Sequence, residues 1–257
     1  MSSLPTILLQ ARHLSKSFGG IRAVEDVLID IPRGSITGLI GPNGAGKTTF
    51  FNLLVKFLPP DRGSVLFDGR PVHHLPPHGI ARLGMMRTFQ VPRVLSRLSV
   101  LENMLLAAPN QRGEQFWAVW FWGRGIRQQE REMTDKAMTL LESVGLERMA
   151  TEYAGALSGG QRKLLEMARG LMNDPKLMML DEPAAGVNPA LIEQICGYIG
   201  EWNRRGITFL IIEHNMDVIM SLCDRVWVLA EGRNLVDGTP AEIQSHPQVI
   251  EAYLGSE

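Results

Sequence analysis

Gly41-Pro42-Asn43-Gly44-Ala45-Gly46-Lys47-Thr48, followed by Thr49, is the most informative segment of the chain. It fits the pattern G-x-x-x-x-G-K-[ST], and the strand-like run Ser35–Ile40 leads directly into it. Glycines allow backbone N–H groups to turn inward around phosphate oxygens, and a following helix adds the positive end of its dipole. Lys47 supplies a charge for the β- and γ-phosphates, and Thr48 offers a hydroxyl to Mg²⁺. The segment therefore predicts a phosphate-binding loop for a nucleotide.

Helix-like and strand-like segments alternate around this loop. The predicted helices are Lys47–Phe57, Gln161–Asn173 and Pro189–Arg204, and the predicted strands are Lys176–Asp181, Ile207–Glu213 and Arg225–Ala230. Helix followed by strand, repeated, is typical of an α/β fold with a mostly parallel sheet covered on both faces.

Two other regions have different patterns. The N-terminal part has β-prone runs at Ile7–His13 and Ala23–Ile31, a turn at Ser17–Gly20 and a hairpin signal at Asp68-Gly69, which predict a small antiparallel β subdomain. Within residues 91–160, the runs Ser99–Ala108 and Gln129–Val144 have helical spacing, and they predict an inserted α-helical subdomain. We interpret residues 1–257 as one domain that contains this insertion and a C-terminal extension at 231–257.

Two acids follow an apolar run. Asp181 and Glu182 come directly after Leu177-Met178-Met179-Leu180. In a doubly wound sheet, ligands collect at the carboxyl ends of the strands, so Asp181 is predicted to face Mg²⁺ directly or through a water. Glu182 is the candidate for polarising an attacking water, because a Mg²⁺–phosphate site alone needs only one acid. The pair therefore suggests hydrolysis as well as binding.

Composition excludes several classes of protein. The 257 residues carry 26 Lys and Arg against 27 Asp and Glu, a net charge of −1 that does not indicate nucleic-acid binding. Two cysteines are too few for a disulfide framework and predict reduced structural thiols. No apolar run approaches the roughly 20 residues that a membrane-spanning helix needs, and no secretory signal is visible.

A second glycine-containing segment, Leu157-Ser158-Gly159-Gly160-Gln161, precedes a strongly periodic helix. Ser158 is a good N-cap, and the two glycines allow close approach of another backbone. The result is a second helix N-terminus suited to an anion. One nucleotide already has its phosphate loop, so this segment suggests a site shared between two protomers.

The segment Leu157–Gln161 is similar to the signature motif of the ATP-binding cassette (ABC) family, and the whole sequence resembles that family. The rest of the set follows in order. The resemblance implies that Phe18 stacks on adenine, that Gln90 contacts Mg²⁺ or water and links to a membrane partner, and that His214 contacts the γ-phosphate. Pro183–Pro189 is similar to the D-loop, with Asn188 where most members have aspartate. ATP, Mg²⁺ and ATP hydrolysis are implied with these roles.

The resemblance narrows to the ATP-binding subunits of bacterial branched-chain amino-acid importers. It rests on Arg87–Gln90, Ala184–Pro189, Ile212–Met216 and Glu251–Gly255, and the 68 positions from Gln90 to Ser158 resemble the longer of that system's two ATPases. The implied partners are a second ATP-binding subunit, two transmembrane permeases and, through them, a periplasmic substrate-binding protein. The implied location is peripheral, at the cytoplasmic face of the inner membrane.

Several alternatives stay open at the level of sequence. The same motifs suit an ABC ATPase for urea, amides or lipopolysaccharide, since solute choice lies in other subunits. They also suit a soluble ABC protein that does not take part in transport, although a single cassette, the absence of a long coiled-coil insertion and an intact Glu182 argue against it. The segment Phe116–Trp122 has five aromatic residues in seven, which fits core packing or an exposed partner or membrane contact.

Overall fold

The computed structural model describes residues 6–88, 94–109 and 123–254, with side chains in the last range described from residue 128 onward. Among these residues no helix is both long enough and apolar enough to cross a bilayer. The described residues form two compact units. The first unit contains residues 6–88, 176–185 and 192–254, and the second contains 94–109, 123–175 and 186–191.

The strands lie in two sheets of the first unit. In chain order they are β1 (Ile7–Phe18), β2 (Ile21–Pro32), β3 (Ile36–Ile40), β4 (Arg62–Phe67), β5 (Arg70–Pro71), β6 (Met85–Arg87), β7 (Leu177–Asp181), β8 (Thr208–Ile212), β9 (Arg225–Ala230) and β10 (Arg233–Gly238). One sheet is antiparallel, in the order β2-β1-β4-β5. The other has the order β10-β9-β3-β8-β7-β6 and is parallel apart from the edge strand β10.

The helices, in chain order, are α1 (Lys47–Leu54), α2 (Pro77–Arg82), α3 (Val100–Leu105), α4 (Gly123–Ser143), α5 (Gly159–Leu171), α6 (Pro189–Arg204), α7 (Met216–Leu222), α8 (Pro240–Gln244) and α9 (Pro247–Leu254). In the first unit, α1 and the inner faces of both sheets share one apolar core, which includes Phe50, Phe51 and Phe67. In the second unit, α3, α4 and α5 pack together, with Leu141, Leu165 and Ala168 buried.

The α/β fold with a mostly parallel sheet and an antiparallel β subdomain is confirmed. Strands β3, β7 and β8 are buried along their whole length, which explains why they read as unbroken apolar runs rather than as alternating patterns. The hairpin signal is also correct, since Asp68 and Gly69 both have positive φ between the antiparallel β4 and β5. The division of residues 1–257 into one domain with an insertion and an extension stays a prediction.

Several predicted boundaries differ from those of the structure, and three of these lie in elements that carry predicted site residues. The first helix ends at Leu54 rather than Phe57, because Lys56 adopts a left-handed φ of 57°, a helix-ending conformation usually taken by glycine. Phe18 ends strand β1, so the turn begins at Gly19. Helix α5 starts at Gly159, two residues before the predicted start, because Ser158 is its N-cap.

Candidate nucleotide site

The predicted phosphate loop connects the buried strand β3 to helix α1. Gly41 and Gly46 have φ values of 150° and 93°, which L-residues with side chains rarely adopt. A Cβ atom at Gly41 would lie 2.1 Å from the carbonyl oxygen of Leu229 in β9, and one at Gly46 would lie 2.2 Å from that of Ala23 in β2. Both positions therefore require glycine for backbone shape and for close packing.

Lys47 is the charged centre of the loop. It is only 7% exposed, and its Nζ donates hydrogen bonds to the carbonyl oxygens of Gly41 at 2.7 Å and Pro42 at 2.9 Å. Burial lowers the pKa of Lys47, and the nearby charges of Glu182 and Asp181 partly offset that effect. The loop thus holds an ammonium group on its own carbonyls, close to two acids.

Helix α1 begins with an open donor end. Its N-cap is Gly46, which has no side chain to accept from the first amides, and the first turn contains no acid. Thr48 is exposed and Thr49 is half-buried, while Asn43 and Gly44 are exposed in the loop before them. Backbone N–H groups and a hydroxyl are therefore presented where the positive end of the helix dipole lies, as a phosphate requires.

Asp181 ends strand β7 and is braced by an arginine that the sequence analysis missed as a functional residue. Arg87 Nη2 donates to Asp181 Oδ2 at 2.9 Å, and both side chains are buried, at 6% and 4% exposure. Arg87 Nη1 also donates to Asn52 Oδ1 at 2.6 Å, and the guanidinium lies 5.6 Å from the ring centre of Phe51. These contacts fix the direction of the Asp181 carboxylate.

Glu182 and His214, which the sequence predicts as separate site residues, lie in contact with each other. Their atoms Oε1 and Nε2 are 3.1 Å apart, and both side chains are partly exposed. Glu182 has a φ of 51°, an uncommon value for a residue other than glycine, and its N–H donates to the carbonyl of Ile212 in β8 at 2.9 Å. Such backbone conformations recur at functional sites, where the surrounding structure holds them in place.

Glu213 holds together the loops that carry Glu182 and His214, although no motif in the sequence predicts a role for it. Its buried carboxylate accepts from the backbone N–H of Ala184 at 2.6 Å and from that of His214 at 3.1 Å. A carboxylate directly after the wholly buried strand β8 was the available signal, because buried acids need such partners.

The signature segment lies in the second unit at the start of α5. Ser158 Oγ accepts from the N–H of Gln161 at 3.2 Å, and Gln161 Oε1 accepts from the N–H of Ser158 at 2.9 Å. This is a capping box, so the predicted N-cap is confirmed. Gly159 is exposed with open space above it, whereas a Cβ at Gly160 would lie 2.1 Å from Leu191 Cδ2.

The remaining predicted site residues divide into two groups. Phe18 is 46% exposed at the end of β1, so part of its ring is accessible to another flat ring, and the Lys16 ammonium lies over one ring face, 5.7 Å from its centre. Gln90 lies outside the described residues, and so does the aromatic segment Phe116–Trp122. Their predicted roles stay predictions.

Comparison with known proteins agrees with this geometry. The profile of the family described as "ABC transporter" matches residues 24–185, and that described as "Branched-chain amino acid ATP-binding cassette transporter" matches residues 233–257. The probable branched-chain amino acid transport ATP-binding protein LivG of Archaeoglobus fulgidus is 43% identical over 97% of this chain and 96% of its own. The high-affinity protein of the same name from Escherichia coli K12 is 40% identical over 96% and 98%.

Solved structures give the same result. An ATP-binding cassette of an ABC transporter in its ADP conformation superimposes with a TM-score of 0.84 at 37% identity, over 97% of this chain and 99% of that one. A nucleotide-free cassette gives 0.83 at 36% identity over 96% and 98%. With a phosphate loop, an acid pair and a histidine in one unit and the signature segment in the other, the chain is an ATP-binding subunit and belongs to the ABC transporter family.

Proposed function

We propose that this chain hydrolyses ATP to drive the import of branched-chain amino acids across the inner membrane. The observation that carries the proposal is the C-terminal match at residues 233–257, because the family concerned is described by that class of solute. The relatives from Archaeoglobus and Escherichia, similar over nearly their full length, are named for the same transport. Both observations favour this solute over urea, amides or lipopolysaccharide.

The phosphate end of ATP fits the loop of the first unit. The amides of residues 43–49 and the Lys47 ammonium provide the donors that β- and γ-phosphates need, and Phe18 offers a ring face to the adenine. Glu182 accepts a proton from the attacking water as the bond from the γ-phosphorus to its bridging oxygen breaks. His214 Nε2 lies 3.1 Å from Glu182 Oε1 and orients that carboxylate, and the imidazole is proposed to contact the γ-phosphate.

The oxygens present also fit Mg²⁺, which prefers hard oxygen ligands. The exposed hydroxyl of Thr48 and a carboxylate oxygen of Asp181 would hold the ion, and Gln90 is proposed as a further contact. When bound, Mg²⁺ neutralises charge on the phosphates. Arg87 keeps Asp181 Oδ2 in a fixed direction, so the carboxylate is positioned before the ion arrives.

The proposed working unit is a dimer of ATP-binding subunits on two permeases, which a periplasmic binding protein supplies with solute. Ser158, Gly159 and Gly160 of one subunit close on the γ-phosphate held by the opposing subunit, and hydrolysis releases the closed state. The exposure of Gly159 supports this arrangement, because it leaves the start of α5 accessible to another chain. The subunit lies peripherally at the cytoplasmic face of the membrane.

The decisive experiment measures uptake of radiolabelled leucine, isoleucine and valine in cells of the source organism that lack this chain. We expect uptake to fall to background, to return with the wild-type chain and not to return with Lys47→Ala. Affinity purification from solubilised membranes should recover two permeases and a second, shorter ATPase. Normal uptake of all three amino acids in the deletion strain, or recovery of the chain without any membrane protein, would contradict the proposal.

A further inference from the structure

The C-terminal segment contacts the phosphate loop at two points. The N–H of Gly232, in the turn between β9 and β10, donates to the carbonyl of Ala45 at 3.2 Å. The N–H of Gly41 donates to the phenol oxygen of Tyr253 at 2.9 Å, across 212 positions of sequence. The loop is therefore held from outside at its first residue and near its last glycine. Neither contact belongs to the phosphate-loop motif itself.

Tyr253 reaches the loop from a well-anchored helix. Helix α9 follows α8, whose N-terminus is fixed by a capping box between Thr239 and Glu242, and Val249 of α9 is 5% exposed. Burial raises the pKa of the Tyr253 hydroxyl, with the hydrogen bond from Gly41 acting in the opposite direction. The phenol is therefore neutral near pH 7 and accepts the Gly41 N–H through an uncharged oxygen.

Gly41 is thereby engaged on both sides. Its N–H is bound by Tyr253, and its carbonyl accepts from the Lys47 ammonium at 2.7 Å. The residue cannot be supported by a bulkier side chain, because a Cβ there would overlap the backbone of Leu229. The hydrogen bond that Gly41 donates to Tyr253 of the distant helix α9 is therefore one contact that orients the residue whose carbonyl accepts from Lys47.

We propose that Tyr253 is a positioning residue for nucleotide binding, acting through Gly41 and Lys47, and that helix α9 is a functional part of the nucleotide site. The proposal rests on the proposed binding of ATP at this loop. Without the hydroxyl, the Gly41 N–H loses its partner, and the loop spends less time in the conformation that presents Lys47 to phosphate. Apparent affinity falls in proportion to the population of the competent conformation.

The test is Tyr253→Phe in the full-length chain, with Tyr198→Phe as the matched control. Phe at 253 keeps the ring and its packing. Tyr198 stacks on Trp202 with ring centres 6.0 Å apart, so Phe there also removes only a hydroxyl. Binding of ATP is measured by calorimetric titration, and steady-state hydrolysis by phosphate release. Hydrogen exchange of a peptide that covers Gly41 reports the bond itself.

We expect Tyr253→Phe to weaken ATP binding about three- to tenfold, which corresponds to the loss of one neutral hydrogen bond. KM for ATP should rise by the same factor with kcat within about twofold, because β7 and β8 rather than α9 position Glu182 and His214. Exchange at Gly41 should become faster only in Tyr253→Phe. Tyr198→Phe should match the wild type in all three measurements.

The possible failures are distinguishable. If the wild-type chain does not bind ATP, the proposed function fails and the role of Tyr253 fails with it. If the wild type binds ATP and Tyr253→Phe binds it equally well, only the role of Tyr253 is overturned. A fall in kcat with unchanged KM would also overturn it, because that pattern indicates a smaller fraction of folded protein rather than a mispositioned loop.

Discussion

The two helix starts that we propose to contact nucleotide, those of α1 and α5, are constructed in opposite ways. At α1 the cap is Gly46, the first turn has no acid, and the backbone donors are left open. At α5 the cap is Ser158, and its capping box with Gln161 binds the helix end to the chain's own side chains. At the start of α1 the backbone donors are available to a ligand. At the start of α5 the chain's own side chains already form the hydrogen bonds of the cap.

The two helix starts also differ in which parts of the chain hold them in place. The α1 loop is held by distant residues, including Tyr253, Gly232 and the backbone of β9. The α5 start is held locally and leaves Gly159 exposed, while Gly160 is used for packing against Leu191. The comparison indicates that contacts from distant parts of the chain hold the phosphate loop, whereas the signature segment forms its helix end locally and leaves Gly159 exposed, as the proposed contact with another chain requires.

The largest effect is expected at Glu182, the proposed base, which lies in the same unit as the α1 start. Glu182→Gln removes the carboxylate that accepts the water proton but keeps the shape, so turnover should fall about 10²- to 10⁴-fold while ATP binding is retained. Phosphate release measures the turnover, and calorimetric titration measures ATP binding. Size-exclusion chromatography with ATP should show a persistent dimer. Glu193→Gln, at an exposed position on α6, is the control. Near-normal turnover in Glu182→Gln would remove Glu182 as the base.

The bracing of Asp181 gives the next largest effect, on stability. Arg87→Met removes the cation that is hydrogen-bonded to the buried Asp181 carboxylate and should lower the free energy of unfolding by about 3–5 kcal/mol. Arg12→Met breaks an ion pair with Asp30 whose side chains are 34% and 40% exposed, and should cost under about 1 kcal/mol. Urea unfolding compares the variants. Equal losses in both would mean that Arg87 does not brace the acid.

The difference between the two helix starts also explains how much was predictable from sequence. Local patterns identified the glycine loop, the Ser158 cap, the Asp68-Gly69 hairpin and the parallel strands, because each depends on neighbouring residues. The ion pair of Arg87 with Asp181 spans 94 positions, and the Tyr253 bond spans 212. No periodicity or motif encodes such contacts, so only the folded chain reveals them.

Conformations unusual for their residue type were also missed. Lys56 and Glu182 adopt positive φ without being glycine, so neither the early end of α1 nor the turn after β7 was marked in the sequence. Surrounding structure holds these residues in place: the Glu182 N–H is bound to Ile212 of the neighbouring strand. Tertiary contacts there override the local preference of the residue.

Removing the Lys47 ammonium tests whether the loop before α1 is a phosphate site. Lys47→Ala deletes the ammonium that the loop carbonyls hold, and ATP affinity should fall about 10- to 100-fold, the equivalent of a charge-assisted hydrogen bond. Lys176→Ala removes an exposed cation paired with Asp68 and should leave affinity unchanged. Calorimetric titration measures both. Unchanged affinity in Lys47→Ala would contradict the assignment of the loop.

The smallest effect is expected at the start of α5, and its measurement uses the capping boxes of three helices for comparison. Ser158→Ala and Ser99→Ala each remove a serine from a capping box in the same unit, at α5 and α3. Each should lower the free energy of unfolding by about 1 kcal/mol. Thr239→Ala should do the same at α8, in the first unit. On stability alone the three variants are expected to be alike.

ATP turnover of the assembled dimer should then separate them. Only Ser158 is proposed to reach the γ-phosphate of the opposing subunit, so Ser158→Ala should lose about tenfold in turnover, the lower range for a hydrogen bond to a charged group. At saturating ATP, Ser99→Ala and Thr239→Ala should retain wild-type turnover. If all three variants lost turnover equally, the Ser158 capping box would serve only to stabilise its helix. The signature segment would then have no role in the opposing site, and the contrast between the two helix starts would be one of local folding.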